Sequence, residues 1–251
     1  MQSLYVFDFL TTVSAQLRET LEAMGESLLD PRALRGLSDY QDKNDSRQGV
    51  YVLHYDGAPV YVGKANNVSA RLFEHWEKLS GRQNIALDRV GYKALLLDKS
   101  MSTAANEDLL IAMFKERHPG MWNGRGVGSK DPGQERDTTR PGWFDRTYPI
   151  IADYGVELEM NADGAIALGA MLAQMKAQLP YVFRYDVPAE EQQRLVPLAG
   201  VGHDARSLLQ AAVTLLGPGW KGAIISYGMV LYKTSKQYRY GVELLPAEPA
   251  P

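Results

Sequence analysis

Residues 49–55 alternate, with Tyr51, Leu53 and Tyr55 on one side and Val50, Val52 and His54 on the other. That period of two predicts a strand. Asp56-Gly57 predicts a tight hairpin turn, because glycine accepts the positive φ such turns need. Pro59 has no N–H to give a ladder, so it is expected at the start of the return strand, 60–63, which Gly63 interrupts. Asn66 or Asn67 then caps a helix whose apolar positions are Val68, Leu72, Trp76 and Leu79. Gly81 is placed to end it. Arg71, His75 and Lys78 repeat at the same spacing on an adjoining stripe. A strand–turn–strand–helix unit therefore carries a cationic, titratable row beside its apolar face.

Upstream, residues 11–24 predict a helix burying Val13, Leu17, Leu21 and Met24. Asp30-Pro31 breaks it, and 32–44 is polar enough for one further helical turn. Residues 1–48 thus read as a helical arm for packing or dimer contact. Downstream, 81–88 is loop, and 90–98 is a third strand, apolar enough to be central. Ser102 or Thr103 caps the next helix. Leu110, Ile111 and Phe114 follow Glu107 at helical spacing, so Glu107 is expected to head the buried stripe while Asp108 turns off it. His118-Pro119-Gly120 ends this helix. Residues 124–146 form a Gly- and charge-rich loop, long enough to be either functional or a surface insertion.

The character changes after about residue 154. Residues 162–179 predict a helix whose methionines read as core. A strand at 181–187, a helix at 204–216 capped near Asp204, and a hairpin of 223–232 with 238–244 complete the chain. The fold class is α+β: a small three-stranded antiparallel sheet flanked by helices (49–150), with the N-terminal arm (1–48) and a C-terminal α+β extension (151–251).

Composition narrows the chemistry. The 251-residue chain has no cysteine, which excludes disulfides and thiolate metal sites. No apolar run is long enough for a bilayer and no basic-headed signal is present, so a cytoplasmic protein without membrane contact is expected. The net charge of −3 is unusual for a DNA binder, but phosphate contacts are local. Basic residues cluster: 221–239 has four and no acid, and 115–146 has seven against five acids. Tyr227, Tyr232, Tyr238 and Tyr240 accompany Lys221, Lys233, Lys236 and Arg239, a mixture that suits a backbone contact or, equally, an edge hairpin with solvated lysines.

Gly49-Val50-Tyr51, then Tyr61-Val62-Gly63 with its tyrosine ten residues on, then Arg71 on the next helix, resembles the signature of the GIY-YIG nuclease superfamily. Glu107 and Asn123 stand where that family has a metal-binding Glu and a later Asn. His75, Trp122-Asn123 and the loop containing Asp131-Pro132-Gly133 resemble its type II restriction endonuclease branch. The likeness covers 49–149, about two-fifths of the chain.

The resemblance implies a site-specific double-stranded DNA endonuclease. In it Tyr51 takes the proton of the attacking water, Tyr61 positions that water or supports Tyr51, and Arg71 binds the scissile phosphate. His75 polarises Tyr51 or shares its proton. Lys64, with Arg71 and the metal, helps a phenol whose ordinary pKa is about 10 to act as a base. Glu107 holds one Mg2+ per site, and Asn123 braces the site. Read from its own residues, Glu107 is equally a capping-box acid. Arg125, Lys130, Arg136 and Arg140 are candidate DNA contacts, as are Lys233, Lys236 and Arg239. A palindromic target implies a homodimer or transient pairing on DNA. A structure-specific or mobile-element nuclease and a catalytically inactive DNA-binding module are the competing readings. Only a short turn separates Tyr51 from Tyr61, so base reading falls to 124–146, the C-terminal region, or both.

Overall fold

The structure, a computed structural model, describes residues 8–98, 107–127, 133–161 and 164–246. It divides into two compact units, Met1–Leu79 with Ile85–Gly128, and Ser80–Asn84 with Ser129–Pro251. These bounds differ from those expected. The described part of the N-terminal arm, from residue 8, groups with the first unit, and residues 133–150 group with the second.

The first unit starts with α1 (Phe9–Ala23), capped by Asp8, whose carboxylate accepts from Thr11 N. Strand β1 is only Ser27–Leu28. The polar stretch after it is a full helix, α2 (Pro31–Lys43), not a single turn. Asp30 caps it by accepting from Ala33 N, and Pro31, lacking an N–H, opens it. Strands β2 (Gly49–Tyr55) and β3 (Ala58–Ala65) form the hairpin. Asp56 and Gly57 turn it, with φ of 54° and 72°. Helix α3 spans Val68–Ser80 and is entered through Asn67, whose Oδ1 accepts from Ala70 N. Strand β4 (Val90–Leu96) and helix α4 (Glu107–Arg117) follow. The cap expected at Ser102 or Thr103 lies outside the described residues.

The sheet has four strands in the order β1-β4-β2-β3, all antiparallel, so β1 adds an edge strand to the three expected. Pro59 explains a register break. It pairs with His54 while Leu53 pairs with Tyr61, leaving Val60 as an extra residue. The freed Val60 carbonyl accepts from Trp122 N at 2.5 Å. Strand β2 is covered on both faces. Val50, Val52 and Val62 pack with Leu17 and Leu21 of α1 and with Leu110 and Phe114 of α4. Tyr51, Tyr61 and Gly63 alternate to the opposite face, against α3.

The second unit joins residues 80–84 to the C-terminal half. Gln83 N donates to Pro149 O, and Ile151 N to Gly81 O, each at 2.8 Å. Buried Arg82 reaches Asp145 at 2.9 Å and the Tyr148 and Ser226 carbonyls. After α5 (Trp143–Thr147) come β5 (Ala165–Ala167), α6 (Leu168–Gln178), β6 (Val182–Tyr185), α7 (Ala189–Gln192), β7 (Leu195–Pro197) and α8 (Ala205–Leu216). Asp204 caps α8 through Ser207 N. Strands β8 (Trp220–Ile225), β9 (Gly228–Lys233) and β10 (Val242–Leu244) end the unit.

The hairpin of this unit is β8–β9, turning at Ser226-Tyr227. Strand β10 instead returns to pair with the far side of β8, giving the order β10-β8-β9-β6 with β6 parallel to β9. Met171 and Met175 are buried in the core under one face of this sheet. Both units together are α+β. Among the described residues no helix is long and apolar enough to cross a membrane.

Candidate active site

Tyr51 is almost fully buried, on a middle strand of the first sheet. Its cross-strand partner is Gly63. A Cβ at Gly63 would fall on the Tyr51 hydroxyl and ring. The glycine is therefore the floor on which the phenol lies. Gly49 serves differently: a Cβ there would collide with the Leu95 carbonyl of β4. The close approaches that these two glycines permit are made by the chain itself. Gly63→Ala is expected to displace the Tyr51 side chain and destabilise the first unit by about 1–3 kcal/mol, the usual cost of overpacking. A urea titration alongside the wild type measures it, and an unchanged midpoint contradicts this packing.

Tyr51 Oη lies 2.9 Å from His75 Nε2. The sequence pattern assigns Trp76 to the buried stripe of α3 and His75 to the polar one. The structure reverses this: His75 is 2% exposed and Trp76 is half-buried. A phenol-to-imidazole hydrogen bond makes a buried histidine tolerable. The Tyr61 ring stacks on Tyr51 at 6.2 Å and lies tilted against His75 at 4.9 Å. The guanidinium of Arg71, one helical turn before His75, lies close enough to both phenols to favour their ionised forms. It also pairs with Glu74 on its own helix. Glu74 is a further participant beyond those expected, and its i+3 spacing from Arg71 is the local signal for it.

Glu107 reaches the same neighbourhood from elsewhere. Its helix packs on the valine face and contacts β3, the edge strand. The Glu107 carboxylate is close enough to raise the pKa of both Tyr51 and Tyr61. The expectation that Glu107 heads a buried stripe is corrected: it is exposed, while Leu110 and Phe114 are buried. Glu107 makes no hydrogen bond or ion pair among the described residues. Nor does any group of three or more His, Asp or Glu gather there as a metal cage. A single accessible carboxylate fits a hard cation that keeps most of its waters, such as magnesium.

Asn123 is 5% exposed and grips the backbone of Val62 from both sides. Its Oδ1 accepts from Val62 N at 2.9 Å and its Nδ2 donates to Val62 O at 2.7 Å. That completes the edge of β3 between Tyr61 and Gly63. Lys78 ties down the following turn by donating to the Val127 carbonyl at 2.5 Å. Lys64 stands differently from expectation. Strand alternation puts it with Val62 on the valine face, whereas Tyr61 and Gly63 share the face of Tyr51.

Electrostatics sets resting protonation. Burial drives the Tyr51 pKa up, helped by Tyr61 and Glu107; Arg71 pulls it back but loses. Arg71 lowers this phenol as expected, but desolvation outweighs the guanidinium and the net shift is upward. Burial, then Arg71 and Lys78, pushes His75 down to about 3. The resting pair is a neutral phenol and a neutral imidazole. His54 is likewise pushed down, to about 4, by burial and Lys93.

Both histidines lie in the first unit, and once unfolded they take up protons near pH 6.5. Below that value the unfolded chain binds protons that the folded chain refuses, so stability falls as pH drops from about 6.5 toward about 3. His75 contributes roughly 1.4 kcal/mol per pH unit in this window. The urea midpoint is expected to be lower at pH 5 than at pH 7. An equal or higher midpoint at pH 5 contradicts neutral burial.

Arg125, in the first unit, donates to the Pro119 carbonyl at 3.0 Å. Arg136, Arg140, Lys233, Lys236 and Arg239 are exposed in the second unit. Lys130 lies outside the described residues. Compared with protein-family models and with curated proteins, the chain matches none.

Proposed function

We propose that the chain is a metal-dependent endonuclease of double-stranded DNA, built on a core like that of the GIY-YIG nucleases and acting at specific sites as restriction enzymes do. The observation that carries the reading is the Tyr51–His75 hydrogen bond of 2.9 Å, with the Arg71 guanidinium close enough to act on the same phenol and the Glu107 charge within reach. In-line hydrolysis of a phosphodiester needs a group to take the water's proton and a cation to meet charge on the phosphoryl oxygens. A neutral phenol is a poor base alone. With neutral His75 beside it, Tyr51 Oη accepts the water's proton while its own proton moves to His75 Nε2. His75 Nδ1 then carries the ring hydrogen in the resting state. Stacked Tyr61 holds the Tyr51 ring in place. Asn123 holds the strand between them.

Arg71 meets the scissile phosphate, exchanging its exposed partner Glu74 for a more densely charged one. Glu107 would hold the divalent ion, which when bound would supply positive charge to the leaving oxygen. Arg71→Ala is expected to cut kcat by about 10²-fold or more while Kd for DNA rises less than about tenfold. Equal losses in rate and affinity instead assign Arg71 to uniform binding.

Incubating plasmid DNA with the chain and Mg2+, with and without chelator, tests the function. Discrete chelator-sensitive fragments agree with the proposal. Nicks or dependence on branched structure point to a repair or mobile-element nuclease, and intact plasmid to a binding module. A palindromic target calls for a homodimer on DNA.

A further inference from the structure

The second unit has a sheet face that the candidate site does not use. Ile224, Met229, Leu231 and Phe183 point into the core beneath α6 and α8. Ala223, Ile225 and Val230 alternate to the other face, where Tyr238 covers them. Arg184, one residue along β6 from Phe183, turns to that face as well.

Two segments are sunk into it by buried polar groups. Asp137, 5% exposed, accepts from Tyr227 Oη at 2.6 Å and pairs with Arg184, which also donates to Tyr227 Oη at 3.1 Å. Tyr238, 2% exposed, is close enough to feel the charges of Asp137 and Arg184. Glu243 holds the backbone at Tyr238 N (2.6 Å), and Lys221 holds the Lys236 carbonyl (2.9 Å). Residues 133–140 and 234–241 therefore meet over one face, although almost a hundred positions separate them in the sequence.

What these segments show to solvent is strongly one-signed. They expose Arg136, Arg140, Lys236 and Arg239 against one exposed acid, Glu135. The other acid of the pair of segments, Asp137, is the buried anchor. The Lys221 and Glu243 charges on the same face are consumed by each other at 2.9 Å. Tyr240, 47% exposed, stands among the cations as a further donor. Lys233 alternates with Met229 and Leu231 and so is directed to the other face.

We propose that this face is a docking surface for the backbone of duplex DNA, with Arg136, Arg140, Lys236 and Arg239 each meeting a phosphate. Asp137 is a positioning residue, since it fixes the first segment to the sheet that carries the second. The charge pattern requires a polyanion with spaced phosphates; the choice of duplex DNA rests on the nuclease reading. Two stretches that look like separate basic tracks in the sequence become one surface.

The test compares two variants of equal charge change in the whole chain. One carries Arg136→Gln, Arg140→Gln, Lys236→Gln and Arg239→Gln; the other carries Arg35→Gln, Lys176→Gln, Arg194→Gln and Arg206→Gln. Binding to a short fluorescein-labelled duplex is read by anisotropy in EDTA over a salt series. The first variant is expected to raise Kd at least about tenfold and to flatten the slope of log Kd against log salt by about 3 to 4, near 0.9 per lost phosphate contact. The second should leave the slope near that of the wild type. Equal changes in both variants, or a wild type that does not bind the duplex, overturn the inference. Plasmid cleavage by the same proteins keeps the two proposals apart. Face-dependent binding without any cleavage sinks the nuclease reading alone, and cleavage with unchanged affinity in the first variant sinks this one alone.

Discussion

Tyr51→Phe is expected to lower the DNA cleavage rate by about 10²–10⁴-fold, the range typical of losing a general base. Only one oxygen leaves. The ring keeps its seat on Gly63 and its stacking with Tyr61. His75 Nε2, whose distance to that oxygen is 2.9 Å, is left buried without this partner. That loss destabilises the first unit by about 1–3 kcal/mol. Folding and catalysis are separable by measuring the urea midpoint and the single-turnover rate on the same protein. Activity within a few-fold of wild type, in a folded variant, assigns the proton to another group.

Glu107→Gln is expected to abolish cleavage, by about 10³-fold or more, and to spare DNA binding. A bound cation contributes several kcal/mol to a charged transition state, and each 1.36 kcal/mol is a factor of ten. Glutamine keeps the shape and an acceptor oxygen but not the charge that holds a hard cation. Glu107 is exposed, so its replacement leaves the fold intact. The wild type in EDTA should behave as this variant does in Mg2+. Residual cleavage by Glu107→Gln that still responds to Mg2+ moves the metal to another residue.

The hairpin and the neighbouring helices were legible because each carries local chemistry. Asp56-Gly57 turns with positive φ, Asn67 caps α3, and Asp204 caps α8. The strand period of β2 put Tyr51 and Val50 on opposite faces, as the packing has them. Helical spacing alone misassigned His75. An imidazole scores as polar, yet a phenol across the interface makes its burial favourable. Glu107 was misjudged for the converse reason. Periodicity describes a helix's sides and says nothing about an end that runs out to a sheet edge. The β8–β9 turn at Ser226-Tyr227 has no glycine or asparagine in its central pair, so nothing local marks it and the residue pattern places the hairpin between 223–232 and 238–244 instead. Long-range ties such as Asp137 to Arg184, 47 positions apart, have no local signature at all.

The central claim is that Tyr51, His75, Arg71 and Glu107 act as one hydrolytic unit. It is met most directly by single-turnover cleavage of supercoiled plasmid in Mg2+, comparing the wild type with Tyr51→Phe, Glu107→Gln and the double variant. The account predicts cleavage by the wild type and, in the double variant, a loss no greater than that of the worse single variant, since residues acting as a unit are not additive. Losses that multiply in the double variant, or a wild type that leaves the plasmid intact, contradict it.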